Sequence, residues 1–454
     1  MKKIALLIIF ISSFAQAQFS INGTLTHSLD TDWVVLYRIE GSKQKFVQNT
    51  TMKKDTLFIE GKMQTIGTFN FELPATAKAS SYRIRYRTRG ISFVDFIFNK
   101  ENVSFTFHPD YPEQTILFSE SKENITYKNY LKDIFAQQQK LDSLQVTAIR
   151  NPKLNLKKSY KTALLKINSA QQAYLESTQQ LYIYPFVKAS FRVNPPALKT
   201  NIKEYMSAIL DTFFEPIDFS NQALVNSSFL LDRVTDYIFY LNYSEDATSQ
   251  QILYKSAVET VFTKIEDAVF KKNVIEFLIE KFEENNNLRM IDFLFENYYD
   301  ALPTSLQNVK FKSEKVKLLA TAIGRIAPDF SWKEYGKDFQ LSTLNDAKNY
   351  VLVFWSTACS HCLKEIPELH AFLQDKKEIK VVAFSMETTD LGWNSMKVSL
   401  PNWHHVLGLN KWSNTVARSY NINATPSYFI LDADKRILAK PIPLEELKIL
   451  IEKL

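Results

Sequence analysis

One long stretch without glycine divides this chain and restricts what its parts can fold into. The 454 residues contain nine glycines, and none lies between Ile91 and Ile323. Glycine adopts left-handed backbone conformations more readily than any other residue, in tight turns and at helix ends. The stretch is therefore predicted to contain few left-handed turns and many helices that end by other means.

Residues 18–118 have the pattern of β-strands. Apolar and polar residues alternate with a period of two in 82–87 and 103–107, and glycines mark the turns. We expect a β-sandwich-like domain here. Arg83, Arg85, Arg87 and Arg89 form a row that either binds an anion or covers a solvated strand face, and the second interpretation is favoured.

Residues 119–323 are predicted to form a helical domain. Apolar side chains recur at helical spacing in 127–144 and 258–270, and prolines break the pattern near 152, 185, 195–196, 216 and 303. We find no repeat period, and the many aromatic residues are interpreted as core packing. Nothing in 18–322 gathers histidines, cysteines or paired acids into a pattern that specifies chemistry.

Residues 324–454 alternate between predicted strands and helices. A hairpin is expected through 339–341 and a buried strand at 350–355, followed by a helix at 360–373 and a strand at 380–384. The remaining predictions are helices near 389–398, 412–420 and 444–454, and strands at 404–407, 428–431 and 436–438. This alternation predicts an α/β sheet with helices on both faces.

The first 17 residues are predicted to be a secretory signal peptide. Met1-Lys2-Lys3 precedes the apolar run from Ile4 to Ile11, and Ala15-Gln16-Ala17 resembles a cleavage site. A retained anchor is the alternative, but the run is shorter than the roughly 20 residues that span a bilayer. We expect export to a periplasm or cell envelope, with no stable membrane span after cleavage. Without Lys2 and Lys3, 53 basic and 49 acidic residues leave a net charge of +4, which gives no indication of a nucleic-acid partner.

The chain has two cysteines, both in Cys359-Ser360-His361-Cys362 at the predicted start of a helix. A bridge across so short a loop constrains little of the unfolded chain, so a structural purpose explains it poorly. Unpaired N–H groups and the helix dipole at a helix N-terminus stabilise a thiolate. Cys359 is thus predicted to be the nucleophile, and Cys362, one turn further along, the thiol that resolves the mixed disulfide.

The segment from about 324 to 454 resembles the thioredoxin superfamily, specifically the exported TlpA/ResA-like thiol–disulfide oxidoreductases. The resemblance rests on Ala327-Pro328-Asp329-Phe330, the segment from Val353 to Cys362, Lys364-Glu365-Ile366-Pro367 and the segment from Ala424 to Asp432. It implies a thioredoxin-like fold and a redox-active Cys359–Cys362 disulfide. It also implies that Pro426 is a cis-proline, that the Thr425 backbone pairs with substrate, that Trp355 shields the site and that Pro367 kinks the helix.

Three positions depart from the relatives. Val353 replaces the buried aspartate of thioredoxins proper, which leaves Glu365, three residues after Cys362, as a candidate proton carrier or as an exposed acid of the first helical turn. Ala358 stands where many relatives carry a second tryptophan. His361 replaces a common proline, and a histidine beside the thiolate makes such a pair more oxidising. The resemblance nevertheless favours a reductant over a disulfide oxidant or isomerase.

The expected partners are protein clients with thiols or disulfides and an upstream electron donor, and no cofactor is expected. A zinc site lacks ligands, because Cys359, His361 and Cys362 cannot all converge from one helical turn. A peroxiredoxin begins with a similar Ala-Pro-Asp-Phe motif, but the Pro/Thr context of its reactive cysteine is missing. The remaining alternative is a partner-binding scaffold in which the thioredoxin-like domain only docks.

Overall fold

The computed structural model describes residues 19–27, 29, 33–59, 61–87 and 92–454. The predicted signal peptide and Arg89 lie outside the described residues. The chain divides into two compact units, of which the first ends at Pro303 and the second comprises Thr304–Leu454. No helix among the described residues combines the length and apolar character needed to cross a membrane.

The first unit begins with strands in two sheets. The elements are β1 (Phe19–Leu25), β2 (Trp33–Glu40), β3 (Lys43–Thr51), β4 (Lys53–Ile59), β5 (Lys62–Leu73), β6 (Ser80–Arg85), β7 (Phe93–Phe98), β8 (Val103–Phe107), the short helix α1 (Pro112–Thr115) and β9 (Leu117–Glu120). One sheet has the order β4-β5-β1-β8-β9 and the other β3-β2-β6-β7. Alternate residues of both sheets, such as Ile21, Ile84 and Phe105, enter one shared hydrophobic core.

Two arginines of the predicted row, Arg83 and Arg87, take part in ion pairs. Arg83 Nε lies 2.6 Å from Asp95 Oδ1 on the neighbouring strand β7, and Arg87 Nη1 lies 2.9 Å from Asp110 Oδ1. These carboxylates neutralise the two guanidinium groups, so the structure gives no support to a stripe of free cations for an anion.

Helices fill the rest of the first unit. They are α2 (Lys122–Arg150), α3 (Lys157–Thr178), α4 (Tyr184–Ala189), α5 (Ile202–Thr212), α6 (Gln222–Val225), α7 (Phe229–Thr235), α8 (Ala247–Lys264), α9 (Ala268–Glu284) and α10 (Leu288–Leu294), with π-helical turns at Asp236–Leu241 and Phe295–Tyr299. Between 92 and 323, the described residues with a left-handed backbone are Lys100, Ser121 and Asn286. Asparagines end several helices in place of glycine, as Asn151 does for α2 and Asn285 for α9.

One helical prediction in this region is wrong. The apolar spacing across 258–270 suggested a continuous helix, but α8 ends at Lys264 and α9 begins at Ala268. The Asp267 side chain accepts a hydrogen bond from the Phe270 N–H at 2.6 Å and caps the second helix. Phe262 of α8 and Phe270 of α9 are both buried, so the apolar spacing continues across the break.

The second unit contains the predicted α/β domain. After α11 (Val309–Ala320), its elements are β10 (Ser331–Glu334), β11 (Lys337–Gln340), β12 (Asn349–Trp355), α12 (Ser360–Leu373), β13 (Ile379–Glu387), α13 (Leu391–Ser399), β14 (His404–Leu409), α14 (Thr415–Ser419), β15 (Ser427–Asp432), β16 (Ile437–Ala439) and α15 (Leu444–Ile451). The helix predicted at 412–420 is shorter, because Asn414 caps α14 by accepting from the Val416 N–H at 2.9 Å.

The central sheet of this unit has the order β14-β13-β12-β15-β16. β12, β13 and β14 run parallel, whereas β15 and β16 are antiparallel to their neighbours. Side chains of β12 alternate between two cores: Tyr350, Leu352 and Phe354 face one, and Val351, Val353 and Trp355 face the other. Both sheet faces are therefore covered, and the carboxyl end of β12 leads directly into the cysteine motif.

Candidate active site

Cys359 and Cys362 lie at the first turn of α12, where the sequence predicts them. Cys359 is the N-cap residue, and its Sγ accepts a hydrogen bond from the Cys362 N–H at 3.2 Å. Both cysteines are free thiols, so the structure is that of the reduced pair. Cys359 is half-buried, whereas Cys362 is fully buried in the core beneath it.

The two thiols have opposite pKa shifts. Burial raises the pKa of Cys359, but hydrogen bonds from the side chains of Cys362 and Thr425 and from backbone N–H groups at the helix start outweigh it and leave the pKa below that of an ordinary thiol. Burial and the hydrogen bond to Cys359 raise the pKa of Cys362 to about 12. When the pair loses one proton, the negative charge therefore resides on Cys359, the more accessible of the two sulfurs.

The loop before β15 faces Cys359. The Thr425–Pro426 peptide bond is cis, and the Thr425 carbonyl oxygen lies 3.3 Å from Cys359 Sγ. In the thiol form the sulfur donates to this oxygen, which opposes ionisation, whereas the hydrogen bonds from Cys362 and from the backbone N–H groups at the helix start favour it. Thr425 and Pro426 are both half-buried, so part of this loop is open beside the reactive sulfur.

Glu365 and His361 take different positions on α12. Glu365 Oε2 accepts a hydrogen bond from the Tyr428 hydroxyl at 2.8 Å, and Tyr428 belongs to the same core cluster as Cys362. Burial, followed by the hydrogen bond to Glu365, raises the pKa of Tyr428, so this hydroxyl keeps its proton. His361 is exposed at the first turn, and Pro367 lies inside the helix.

Trp355 lies behind the cysteines. Its side chain is fully buried and shares a core cluster with Cys362 and Tyr428. The indole therefore shapes the site from the interior and presents no exposed surface to which a client could bind. Val353, at the position where thioredoxins proper have an aspartate, is equally buried and supplies no proton acceptor.

Glu387 is a buried acid of the site that our sequence analysis did not identify. Its carboxylate accepts hydrogen bonds from the Thr357 N–H at 2.6 Å, the Thr357 hydroxyl at 3.0 Å and the Ser385 hydroxyl at 2.7 Å, and Ser356 Oγ lies 3.4 Å away. These contacts hold the loop that enters the cysteine motif. The sequence signal was a pair of polar residues, Ser385 and Glu387, at the carboxyl end of a buried parallel strand, where α/β sheets place their sites.

The fold and the site together define the C-terminal domain as a member of the thioredoxin superfamily: a mixed sheet covered on both faces, two cysteines at the start of the helix after β12, and a cis-proline opposite them. Residues 323–440 match the model of the AhpC/TSA family. The domain is similar to the thiol-disulfide oxidoreductase ResA of Bacillus cereus, with 26% identity over 135 residues, which are 29% of this chain and 75% of that relative.

Two further comparisons cover the same domain. ResA of Oceanobacillus iheyensis is 32% identical over 75 residues, which are 15% of this chain and 39% of the relative. A solved domain of a possible thiol-disulfide isomerase from Cytophaga hutchinsonii is 30% identical and covers 29% of this chain and 92% of its own, with a TM-score of 0.26. The curated relatives that match this domain are ResA-like thiol–disulfide oxidoreductases.

Proposed function

We propose that this protein is an exported oxidoreductase that exchanges disulfides with client proteins through Cys359 and Cys362, and that it acts as a reductant. The observation that carries the proposal is the asymmetry of the pair. A half-buried thiol with a lowered pKa stands at a helix N-terminus, directly beside a buried thiol whose pKa is raised to about 12. A nucleophile needs the first property, and a resolving thiol is protected by the second.

The proposed reaction moves two electrons to the client. The Cys359 thiolate attacks one sulfur of a client disulfide, forms a mixed disulfide and releases the other client sulfur as a thiolate. Cys362 then loses its proton and attacks Cys359 Sγ, which releases the second client thiolate and leaves a Cys359–Cys362 disulfide. The client is reduced, the pair is oxidised, and an upstream dithiol donor restores it.

Glu365 is the proposed acceptor of the Cys362 proton. The Tyr428 hydroxyl, held 2.8 Å from Glu365 and packed in the cluster that contains Cys362, lies between the carboxylate and the buried core. A proton that leaves Cys362 can reach Glu365 by relay, in which the Tyr428 hydroxyl accepts one proton and donates its own, or through water. Tyr428 is neutral before and after the relay. Thr425 and Pro426 are the proposed contacts for the client backbone, and Trp355 supports the site from within.

Two other functions make different predictions. His361 at the exposed first turn favours a more oxidising pair, which would make the protein a disulfide oxidant or isomerase. A scaffold whose thioredoxin-like domain only docks would need no thiol chemistry at all. The lowered pKa of Cys359 argues against the scaffold, since a docking surface has no use for a stabilised thiolate.

A trapping experiment tests the proposal. In the Cys362→Ser variant the mixed disulfide cannot be resolved, so envelope clients should accumulate in covalent complexes that dithiothreitol releases. The matched control is Cys359→Ser, which keeps one buried thiol and should trap nothing. Equal yields from both variants, or none from either together with no reductase turnover by the unmodified protein, would rule the enzyme out.

Export and domain division complete the proposal. Residues 1–17 are the proposed signal peptide, which N-terminal sequencing of the secreted protein would check.

We further propose a β-sandwich-like domain at 18–118, a helical domain at 119–323 and the thioredoxin-like domain at 324–454. Limited proteolysis tests this division, because cuts between compact domains should precede cuts inside them.

A further inference from the structure

The first unit contains a cavity at the free edge of strand β7. Its volume is about 410 Å³, within the range of ligand-binding cavities, and its walls come from β6, β7, the β8–β9 connection and helices α2, α4 and α7. Apolar side chains line most of it, including Phe93, Ile116, Phe118 and Phe229. The residues that line this cavity include none of those described at the cysteine site.

β7 is the last strand of its sheet, so one row of its backbone groups points away from β6. Ile97 shows which row this is, because the Asn124 side chain accepts from the Ile97 N–H at 2.8 Å and donates to the Ile97 carbonyl at 2.6 Å. On the opposite side, Ser92 O accepts from the Tyr86 N–H at the start of the ladder. Odd-numbered residues therefore direct their backbone groups to the free edge, because the direction alternates along a strand.

Asp95 is the next residue along this free edge. Within the described part of the chain, no hydrogen bond occupies its backbone N–H or C=O, whereas Asn124 satisfies those of Ile97 two residues away. The Asn124 side chain thus bonds to Ile97 as a residue of a neighbouring strand would. Among the described residues, no such hydrogen bonds continue to Asp95, where the cavity begins. An unpaired N–H and C=O beside an apolar cavity form a site at which an extended polypeptide can add a strand.

The charges on the cavity wall favour a cationic guest. Three acids, Asp95, Glu113 and Asp232, and two bases, Arg83 and Lys128, line the cavity, so its wall carries one more acid than base. Arg83 pairs with Asp95 in a bidentate contact, and Lys128 Nζ donates to the neutral backbone carbonyl of Glu113 at 2.7 Å. Asp232 is exposed, and none of the ion pairs among the described residues includes it.

The environment of Asp232 raises its pKa to about 6. The surrounding protein is the largest cause of the rise and the nearby Asp95 carboxylate adds to it, whereas a hydrogen bond from Ser228 and the positive charge of Arg233 oppose it. A lysine or arginine brought next to Asp232 would relieve this repulsion.

We propose that the edge of β7 binds an extended segment of another protein in which a lysine or arginine stands between two apolar residues. The central residue pairs with the Asp95 backbone, and its side chain lies on the same side of the sheet as Asp95, where it meets Asp232. The two neighbouring side chains point to the other side, where Ile116 and Phe118 border the hydrophobic core. Successive side chains of a strand point to opposite sides of the sheet, so the basic side chain of the bound segment faces the acid while its two apolar neighbours face the apolar wall.

Peptide binding to the full mature protein tests this proposal. The probe is a fluorescent seven-residue peptide with valine–lysine–valine at its centre, and binding should saturate below about 1 mM. Asp232→Asn should weaken binding at least about tenfold, because a charge-assisted contact is lost. Asp211→Asn, an exposed aspartate of α5 away from the cavity, is the matched control and should leave binding unchanged.

Two further probes separate strand addition from other kinds of binding. A peptide that is N-methylated at its central lysine cannot complete the ladder and should not bind, and hydrogen exchange should show the Asp95 amide protected by the normal peptide. Saturation by both peptides with equal affinity, or equal binding to both aspartate variants, overturns the proposal. Absence of binding up to about 1 mM overturns it as well. None of these readouts depends on the redox activity of Cys359.

Discussion

The carboxylates near Cys359 accept hydrogen bonds from neighbouring groups, whereas the Asp95 backbone N–H and C=O at the free edge of β7 have no partner among the described residues. Glu387 accepts hydrogen bonds from Thr357 and Ser385, and Glu365 accepts one from Tyr428. Asp95 and Asp232, in contrast, leave a backbone edge and a carboxylate open to a cavity. Polar groups that are all hydrogen-bonded fix the position of a reactive atom. Polar groups without hydrogen-bond partners indicate where a ligand can bind.

We propose that the two units have separate tasks. In the second unit, hydrogen bonds hold the loop and the helix start that carry the cysteine pair. In the first unit, the fold supplies a cavity whose wall carries one more acid than base. Substitutions that abolish the thiol chemistry should therefore leave peptide binding intact, and substitutions in the cavity should leave the thiol chemistry intact.

The largest effect is expected from Cys359→Ser. Disulfide reductase turnover should fall to background, because the thiolate is the nucleophile and serine cannot replace it. Binding of the lysine peptide should stay at the level of the unmodified protein. The reverse pattern is expected for Asp232→Asn, with reduced peptide binding and full reductase turnover. If either substitution impairs both activities in a folded protein, the two tasks are not separate.

The next effect concerns the buried carboxylate. Glu387→Ala leaves the Thr357 N–H and the Ser385 hydroxyl without their acceptor and should destabilise the domain by about 3 kcal/mol, whereas Glu387→Gln should cost about 1 kcal/mol because its amide oxygen still accepts. Urea unfolding followed by tryptophan fluorescence measures this, since five of the six tryptophans, 332, 355, 393, 403 and 412, lie in the second unit.

A surface acid supplies the control for Glu387. Glu378 pairs with Lys348 at 2.9 Å, with side chains 69% and 72% exposed. Glu378→Gln should change stability by less than about 1 kcal/mol. Equal losses from Glu387→Ala and Glu378→Gln would contradict a positioning role for Glu387. The Cys359 alkylation rate should fall in the Glu387→Ala variant alone, because its loop sets the position of the sulfur.

The pH dependence of alkylation tests the asymmetry of the two thiols. The lowered pKa of Cys359 means that its thiolate persists below the pH at which ordinary thiols protonate, so its alkylation by iodoacetamide should continue into that range. Cys362, with a pKa of about 12, should stay unreactive up to strongly alkaline pH. Tandem mass spectrometry of the peptide that contains both cysteines distinguishes the sulfurs, because fragmentation between them assigns the label. Equal profiles for both would remove the basis for assigning nucleophile and resolving thiol.

The smallest effect is expected at the proposed proton acceptor. Tyr428→Phe removes one hydrogen bond to Glu365 and should cost about 1 kcal/mol of stability. Glu365→Gln should slow resolution of the mixed disulfide while its formation, which depends on Cys359, keeps its rate. Stopped-flow kinetics with a model disulfide separates the two steps. A change in the first step alone would show that Glu365 acts on Cys359 instead.

The sequence predicted the second unit more fully than the first. In the second unit, the strand at 350–355 and the helix at 360–373 follow from continuous apolar runs and from a motif whose chemistry needs a helix start, and both are present as β12 and α12. Glu387 was missed because its role depends on β13 lying beside β12, a pairing that sequence patterns do not specify.

In the first unit, local patterns predicted strands and helices but not the cavity. The alternation in 82–87 indicates which residues of β6 enter the core, yet it carries no information about which strand lies at the sheet edge. Asn124 and Asp232 are distant in sequence from Asp95, and the fold alone brings them to it. The break between α8 and α9 was missed for a related reason, since the capping by Asp267 interrupts a continuous apolar period.

The most direct test of the account is the reduction potential of the Cys359–Cys362 couple, measured by equilibrating the full mature protein in thiol–disulfide buffers and following the loss of two protons by mass. For a reductant we expect one two-electron transition with a midpoint below about −200 mV, on the reducing side of the superfamily. A midpoint near about −120 mV would contradict the reductant assignment. The absence of any Cys359–Cys362 disulfide across the whole range would contradict the redox pair itself.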